Sequence, residues 1–134
     1  FARADGLPMV AVAKDPNCGC CEKWVAHLRE NGFAVTVTDG PVTPLKVRLG
    51  VPRDLASCHT AQVGGYVVEG HVPAGAIKRL LAETPKATGL AVPGMPAGSP
   101  GMEVEGMEPD TYDVVLFGPA GRETFARYRG GVVA

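Results

Sequence analysis

The stretch "MVAVAKDPNCGCCEKWVAHLRENGFAVTVT", residues 9–38, decides the fold of this 134-residue chain. Its first six residues form a short, valine-rich apolar run that predicts a buried strand. A helix is predicted from about Cys18 to Glu30, because apolar residues recur there every three or four positions and an Asn-Gly pair follows as an end signal. Residues 33–38 alternate apolar and polar side chains and predict a second strand. Two strands joined by a helix are expected to pair in parallel.

The elements that follow predict a mixed α/β sheet. A short helix is predicted around Leu45 to Leu49. Two apolar runs flank the Gly-Gly pair at 64–65 and indicate a tight hairpin. Pro73 opens a further helix that ends before Pro85. The order β-α-β followed by β-β-α is that of a thioredoxin-like sheet with helices on both faces, and it places the residues after the first strand at the start of the first helix.

The last third of the chain has a different composition. Residues 85–110 contain five glycines, five prolines and three of the four methionines. An irregular segment of this length inside a domain is uncommon and is usually functional or disordered. Residues 111–128 form two strand-like runs around Gly-Pro-Ala-Gly and predict a closing hairpin, so that 85–110 forms a strap over one domain, residues 1–134.

Charge and hydropathy exclude several functions. The formal net charge is −1, which does not favour nucleic acid or an anionic membrane as a partner. No apolar run approaches the roughly 20 residues of a membrane-spanning helix. A monomer is expected. The chain starts at Phe1 and not at Met, so a leader was removed or the chain was trimmed, and a cleaved secretory leader fits.

Three of the four cysteines lie within four positions. Cys18 and Cys21 have the C-x-x-C spacing, which places them on one helix face, and a helix N-terminus favours the thiolate, the reactive and metal-binding form. Three interpretations are open: a structural disulfide that joins this pair or reaches Cys58, thiol–disulfide exchange by the pair, and a metal site. A metal is favoured because a simple dithiol pair leaves Cys20 without a role.

The methionines distinguish between metals. Structural zinc sites usually use two separated cysteine pairs, which this sequence lacks. Cu(I) is softer and accepts both thiolate and thioether. Met95 and Met102 lie in Gly/Pro-rich turns and are candidates for copper ligands or lid residues, whereas Met107 is flanked by acidic residues and suits packing. The sequence therefore favours copper, chiefly Cu(I), over zinc.

The three histidines differ in their expected roles. His59 directly follows Cys58, and a ligand role is as well supported as a structural one. His71 precedes a helix and is expected to cap it or to form a local hydrogen bond. His27 lies two turns beyond Cys20 on the first helix, away from its apolar face, and is expected to be solvated and uninvolved.

Four blocks in order resemble one family. "CGCC", "SCHT", "GYVVEGHVPA" and "GLAVPGMPAGSPGME" are similar to the CopG-type family of bacterial copper-resistance proteins, over about Met9 to Tyr128. The resemblance implies a thioredoxin-like fold and an exported, periplasmic protein that handles copper. Copper ions and another copper-handling protein are the implied partners.

The resemblance also implies the site residues. In the motifs C-x-C-C, Ser-Cys-His-Thr and Gly-Met-Glu, the residues are Cys18, Cys20, Cys21, Cys58, His59 and Met102. In thioredoxin-like folds the loop before the third strand approaches the start of the first helix, so Cys58 is expected to return to the other three thiols.

The predicted function is copper binding, chiefly of Cu(I), by the four cysteines. His59 and Met102 are further candidate ligands and Met95 a weaker one. Crowded thiolates can bridge more than one copper, and the site can be redox-active. The alternative is an enzyme that uses Cys18 and Cys21, either a thiol–disulfide oxidoreductase or a copper oxidoreductase.

Overall fold

The computed structural model describes residues 7–134, and this part of the chain contains eight strands and three α-helices, with a one-turn 3-10 helix at Arg53–Leu55. The strands are β1 (Val10–Lys14), β2 (Val35–Asp39), β3 (His59–Val63), β4 (Tyr66–Gly70), β5 (Gly89–Val92), β6 (Thr111–Gly118), β7 (Gly121–Arg129) and β8 (Val132–Val133). The helices are α1 (Gly19–Glu30), α2 (Thr43–Leu49) and α3 (Ala74–Glu83). All eight strands form one sheet in the order β2-β1-β3-β4-β5-β6-β7-β8.

The first four strands confirm the predicted mixed sheet. β1 pairs in parallel with β2 and antiparallel with β3, and β3 pairs antiparallel with β4. The β3–β4 turn is the Gly64-Gly65 pair, with φ angles of 55° and 85°. This left-handed conformation is the one that a two-residue hairpin turn of type I′ requires and that glycine adopts without strain.

The main core lies between the sheet and helices α1 and α3. The buried side chains of α1 are Cys21, Trp24, Val25 and Leu28, the apolar stripe predicted from sequence. Ile77 and Leu80 of α3 pack into the same core. A smaller cluster of Leu55, Val67, Ala91 and Phe117 lies on the other face of the sheet, beside residues at the end of α2.

The irregular segment begins later than predicted. The boundary at residue 85 is wrong because β5 lies between β4 and β6, with all four of its residues buried. A four-residue strand that is buried on both faces has no alternation of apolar and polar side chains. Among the surrounding glycines and prolines it was therefore not recognised as a strand. Gly89 has a reason in packing: a Cβ there would lie 1.7 Å from the Val67 carbonyl oxygen. From here on, the strap means residues 93–110, which contain no helix or strand.

The closing hairpin is present. β6 and β7 pair antiparallel across Pro119-Ala120, and β8 adds a short edge strand. None of the helices in residues 7–134 has the length and apolar character needed to cross a lipid bilayer.

Candidate metal centre

Three thiols lie at the start of α1. Cys18 is the N-cap residue, and Cys20 and Cys21 belong to the first turn. Cys18 and Cys21 form a disulfide, while Cys20 is a free, half-buried thiol with its Sγ 3.5 Å from Cys18 Sγ. The C-x-C-C sequence thus presents three sulfur atoms from less than one helical turn.

A buried lysine holds the loop that leads into α1. Lys14 ends β1, and its side chain is 1% exposed. Its Nζ donates to the Asp15 carbonyl at 3.2 Å and forms ion pairs with Glu22 at 2.8 Å and Asp39 at 3.0 Å. These contacts tie the ends of β1 and β2 to the first turn of α1, where the thiols are.

Strand pairing brings in the fourth thiol. Lys14 is opposite His59 in the antiparallel pair of β1 and β3, so the residue before β3, Cys58, faces the loop after β1. The sulfur atoms of Cys18, Cys20, Cys21 and Cys58 all lie within 4.8 Å of one another. The distant cysteine therefore joins the other three in space.

His59 lies between two of these sulfur atoms. It is fully buried, and its Nδ1 is 3.2 Å from Cys21 Sγ and 3.3 Å from Cys58 Sγ. Its ring packs on Trp24 with centroids 4.3 Å apart. Burial lowers the pKa of His59 to about 3, so the imidazole is neutral at ordinary pH. Its Nε2 has no hydrogen-bond partner among the described residues.

His71 belongs to the site. The prediction that it only caps a helix or forms a local hydrogen bond missed its contact with Cys58. It is fully buried, with Nε2 3.1 Å from Cys58 Sγ. Its Nδ1–H donates to the Pro100 carbonyl at 2.6 Å, which leaves the Nε2 lone pair directed at the sulfur. Cys58, His59 and His71 form a second group of donor atoms within 4.8 Å of one another.

The register of the β3–β4 hairpin could have predicted that His71 lies beside Cys58. Thr60 pairs with Glu69 and Val63 with Tyr66 on either side of the Gly-Gly turn. Counting outward by the same register places Cys58 level with His71. The turn was predicted from the sequence, so this proximity could have been read from it.

The three methionines of the strap have different surroundings. Met95 is 53% exposed, and its Sδ is 4.0 Å from Cys20 Sγ. Met102 is half-buried and follows Gly101, whose backbone lies so close to Cys20 and His71 that a Cβ would be 2.8 Å from the Cys20 carbonyl oxygen and 2.9 Å from His71 Nδ1. Met107 is 58% exposed and does not fill the core, so the prediction that it packs there is wrong.

His27 is outside both donor groups, but the prediction that it is solvated is wrong. It is half-buried, and its Nε2 accepts a hydrogen bond from the Ala74 backbone N–H at 3.0 Å. Ala74 begins α3, so His27 satisfies one of the free N–H groups of that helix. Burial lowers the pKa of His27, which keeps the accepting nitrogen unprotonated.

The donor set suits a soft metal ion. Sulfur atoms predominate, with imidazole nitrogens from His59 and His71 beside them, and Cu(I) prefers this combination. Burial raises the pKa of Cys58 to about 11 in the disulfide form, so its thiol is protonated without a cation nearby. A bound cation would favour the thiolate and displace that proton.

Comparisons with known proteins give one family match. A family model described as "Protein of unknown function, DUF411" matches residues 55–102, which include Cys58, both buried histidines and Met102. No curated protein matches the chain at a significant level.

Two solved structures cover nearly the whole chain. The structure described as copper resistance protein CopG, form 1, is 46% identical, covers 92% of this chain and 99% of its own, and superimposes with a TM-score of 0.84. Form 2 is 45% identical, with 91% and 98% covered and a TM-score of 0.85. At this identity and coverage, the chain belongs to the CopG family of copper resistance proteins.

Proposed function

We propose that this protein binds copper, chiefly as Cu(I), through Cys18, Cys20, Cys21 and Cys58, and that it serves copper resistance and homeostasis. The observation that carries the proposal is the convergence of the four sulfur atoms within 4.8 Å. Thiolates are the donors that Cu(I) prefers, and zinc is less favoured because the thioether of Met95 lies beside Cys20. The family membership supports a role in copper handling.

The neighbouring residues extend the donor set. His59 and His71 contact Cys58 through ring nitrogens, and Cys58 belongs to both donor groups. A shared sulfur can bridge two ions, which supports a capacity of more than one copper. Met102 remains a further candidate ligand and Met95 a weaker one.

The reduced protein is the copper-binding form. Reduction of the Cys18–Cys21 disulfide takes two electrons and two protons and yields two thiols, which lose their protons to the solvent when they bind Cu(I). In the disulfide form only Cys20 and Cys58 are free. Oxidation would therefore remove half of the sulfur donors and release a soft metal.

The test is an anaerobic titration of fully reduced protein with Cu(I) against a competing chelator, with zinc in parallel. Tight uptake of one or more Cu(I), and weaker uptake by Cys58→Ser, is the expected result. Met107→Leu is the matched control, because this methionine is exposed and has no part in the proposed site. Full copper capacity and affinity in Cys58→Ser would contradict a four-thiol site.

A second function, thiol–disulfide exchange by Cys18 and Cys21, is favoured by the disulfide that these residues form at the start of α1. A dithiol substrate would reduce this bond to two thiols and would itself become a disulfide. Turnover of such a substrate, abolished in Cys18→Ser, would support an enzyme. Copper uptake without turnover would support a binding protein.

We further propose that the protein is periplasmic and is a monomer that exchanges copper with another copper-handling protein. An oxidising compartment is where a disulfide persists, which agrees with the Cys18–Cys21 bond. Cell fractionation of the protein expressed from its complete coding sequence tests the location. Recovery with cytoplasmic markers would overturn it.

A further inference from the structure

A closed network of charged and polar groups is buried between α2 and the sheet. Glu69 of β4 is fully buried, and Lys46 of α2 is 8% exposed. The Lys46 ammonium donates to a carboxylate oxygen of Glu69 and, at 2.8 Å, to Thr60 Oγ1. The Thr60 hydroxyl in turn donates to Glu69 Oε1 at 2.6 Å. Three side chains from α2, β3 and β4 thus form one ring.

The network reaches the site through a backbone amide. The Ser57 N–H donates to Glu69 Oε2 at 2.7 Å, the same oxygen that Lys46 contacts. Ser57 immediately precedes Cys58, the thiol that joins both donor groups. The carboxylate therefore holds the peptide next to Cys58 from the face of the sheet opposite to α1.

Ser57 is held from two other directions. Its hydroxyl donates to the Gly94 carbonyl at 2.8 Å, one residue before Met95. On the other side lies Gly70, where a Cβ would be 2.8 Å from Ser57 Cβ. The position of this residue is fixed by the carboxylate, the strap and the end of β4 together.

Stability alone is a poor explanation for the buried pair. The free-energy cost of moving two charges out of water is often as large as their mutual attraction. Replacing a buried ion pair with well-packed apolar residues therefore often leaves a protein equally stable or more stable. A carboxylate gives something that an apolar side chain does not, an acceptor for the Ser57 N–H. The ammonium of Lys46 compensates the charge that this acceptor carries.

We propose that Glu69, paired with Lys46, is a positioning residue that fixes Cys58 in the geometry required for metal binding. This inference rests on the proposed function, since it assigns the network to Cu(I) binding through Cys58. Glu69 does not touch the metal donors. It acts through the Ser57 peptide, as groups that orient metal ligands commonly do.

The test compares two double variants that both remove the charges. Lys46→Met/Glu69→Gln retains an oxygen acceptor for the Ser57 N–H, whereas Lys46→Met/Glu69→Leu has none. The Gln variant is expected to bind Cu(I) within about twofold of the wild type. The Leu variant is expected to bind about tenfold or more weakly, the usual loss when a group that orients a ligand is removed.

A second comparison separates positioning from general damage. In a Cys58→Ser background, exchanging Gln for Leu at position 69 is expected to change Cu(I) affinity by less than about twofold, because the thiol to be positioned is absent. Equal affinity of the two double variants would overturn the proposal. The proposal would also be overturned if exchanging Gln for Leu at position 69 weakened Cu(I) binding as much in the Cys58→Ser background as in the protein with Cys58.

Amide hydrogen exchange keeps the proposal testable if the Leu variant does not fold. The Ser57 amide is expected to exchange slowly in the wild-type protein and in the Gln variant, and rapid exchange in either would overturn the role of the carboxylate. Failure of the proposed function is seen separately. It appears as absent Cu(I) uptake by the wild type, or as full affinity in Cys58→Ser, before position 69 is changed.

Discussion

Cys58 Sγ lies 3.1 Å from His71 Nε2, although Cys58 precedes β3, His71 follows β4 and the two residues are 13 positions apart. The register of β3 and β4 produces this contact, and the hydrogen bond from His71 Nδ1 to Pro100 orients the ring. One thiol thereby joins the sulfur-rich group at α1 to two imidazoles.

His71 should contribute to copper binding. His71→Gln is expected to lower Cu(I) affinity by about tenfold or more, because the nitrogen facing Cys58 is lost. Chelator competition with the reduced protein measures this. His27→Gln is the matched control, since that histidine is half-buried but outside both donor groups, and it should bind as the wild type does. Equal affinities of the two variants would contradict a role for His71.

The Cys18–Cys21 disulfide should control copper binding. Oxidised protein retains two free thiols and is expected to bind Cu(I) orders of magnitude more weakly than reduced protein, with full recovery after reduction. Competition titrations before and after treatment with a reductant, which is removed before the metal is added, measure the difference. Unchanged affinity of the oxidised form would show that these two sulfurs are not ligands.

The metal-free protein should lose stability in mild acid. Burial lowers the pKa of His27 below its ordinary 6.5, although nearby Glu103 and Glu30 act in the opposite direction. The unfolded chain then takes up a proton that the folded protein excludes. This contribution to the free energy of unfolding is present above about pH 6.5 and is lost as the pH falls below it. The pKa values of His59 and His71, also lowered by burial, add to the same trend.

His27→Ala isolates one part of that effect. The variant is expected to lose about 1 kcal/mol of stability at pH 7, because the Ala74 N–H at the start of α3 loses its acceptor. It should also show a shallower fall in stability between about pH 7 and pH 5 than the wild type. Urea denaturation at both pH values measures this, and an identical pH dependence in the two proteins would show that His27 does not titrate on unfolding.

Met95 should have a modest effect. Its thioether is 4.0 Å from Cys20 Sγ but half of the side chain is exposed, so Met95→Leu is expected to weaken Cu(I) binding less than His71→Gln does. Met107→Leu, which changes a similarly exposed methionine of the strap, should have no effect. Identical behaviour of the two methionine variants would remove Met95 from the site.

Local patterns predicted most of the fold. The stripe of Trp24, Val25 and Leu28, the Gly-Gly turn and the order of strands and helices are all properties of neighbouring residues, and the structure contains them. β5 was missed because a fully buried four-residue strand has no alternation. Its place in the sheet depends on β4 and β6, which are far away in sequence.

The site was harder to predict than the fold. Crowding of Cys18, Cys20 and Cys21 is visible in the sequence, but the residues alone do not bring Cys58 to them, and that expectation came from the family resemblance. The place of His71 beside Cys58 follows from the register of β3 and β4, which the Gly-Gly turn made predictable although this was overlooked. The Lys46–Glu69 pair depends on the packing of α2 against the sheet, which only the folded chain reveals.

The approach of Gly101 to Cys20 also bears on the order in which the chain folds. These two residues are 81 positions apart, whereas Cys20 and Cys58 are 38 apart. Contacts between residues far apart in sequence form slowly, because a long loop must close first. We therefore expect the four cysteines to come together before the strap covers them. A chain at that stage would hold its sulfur donors without the cover that residues 100 and 101 provide.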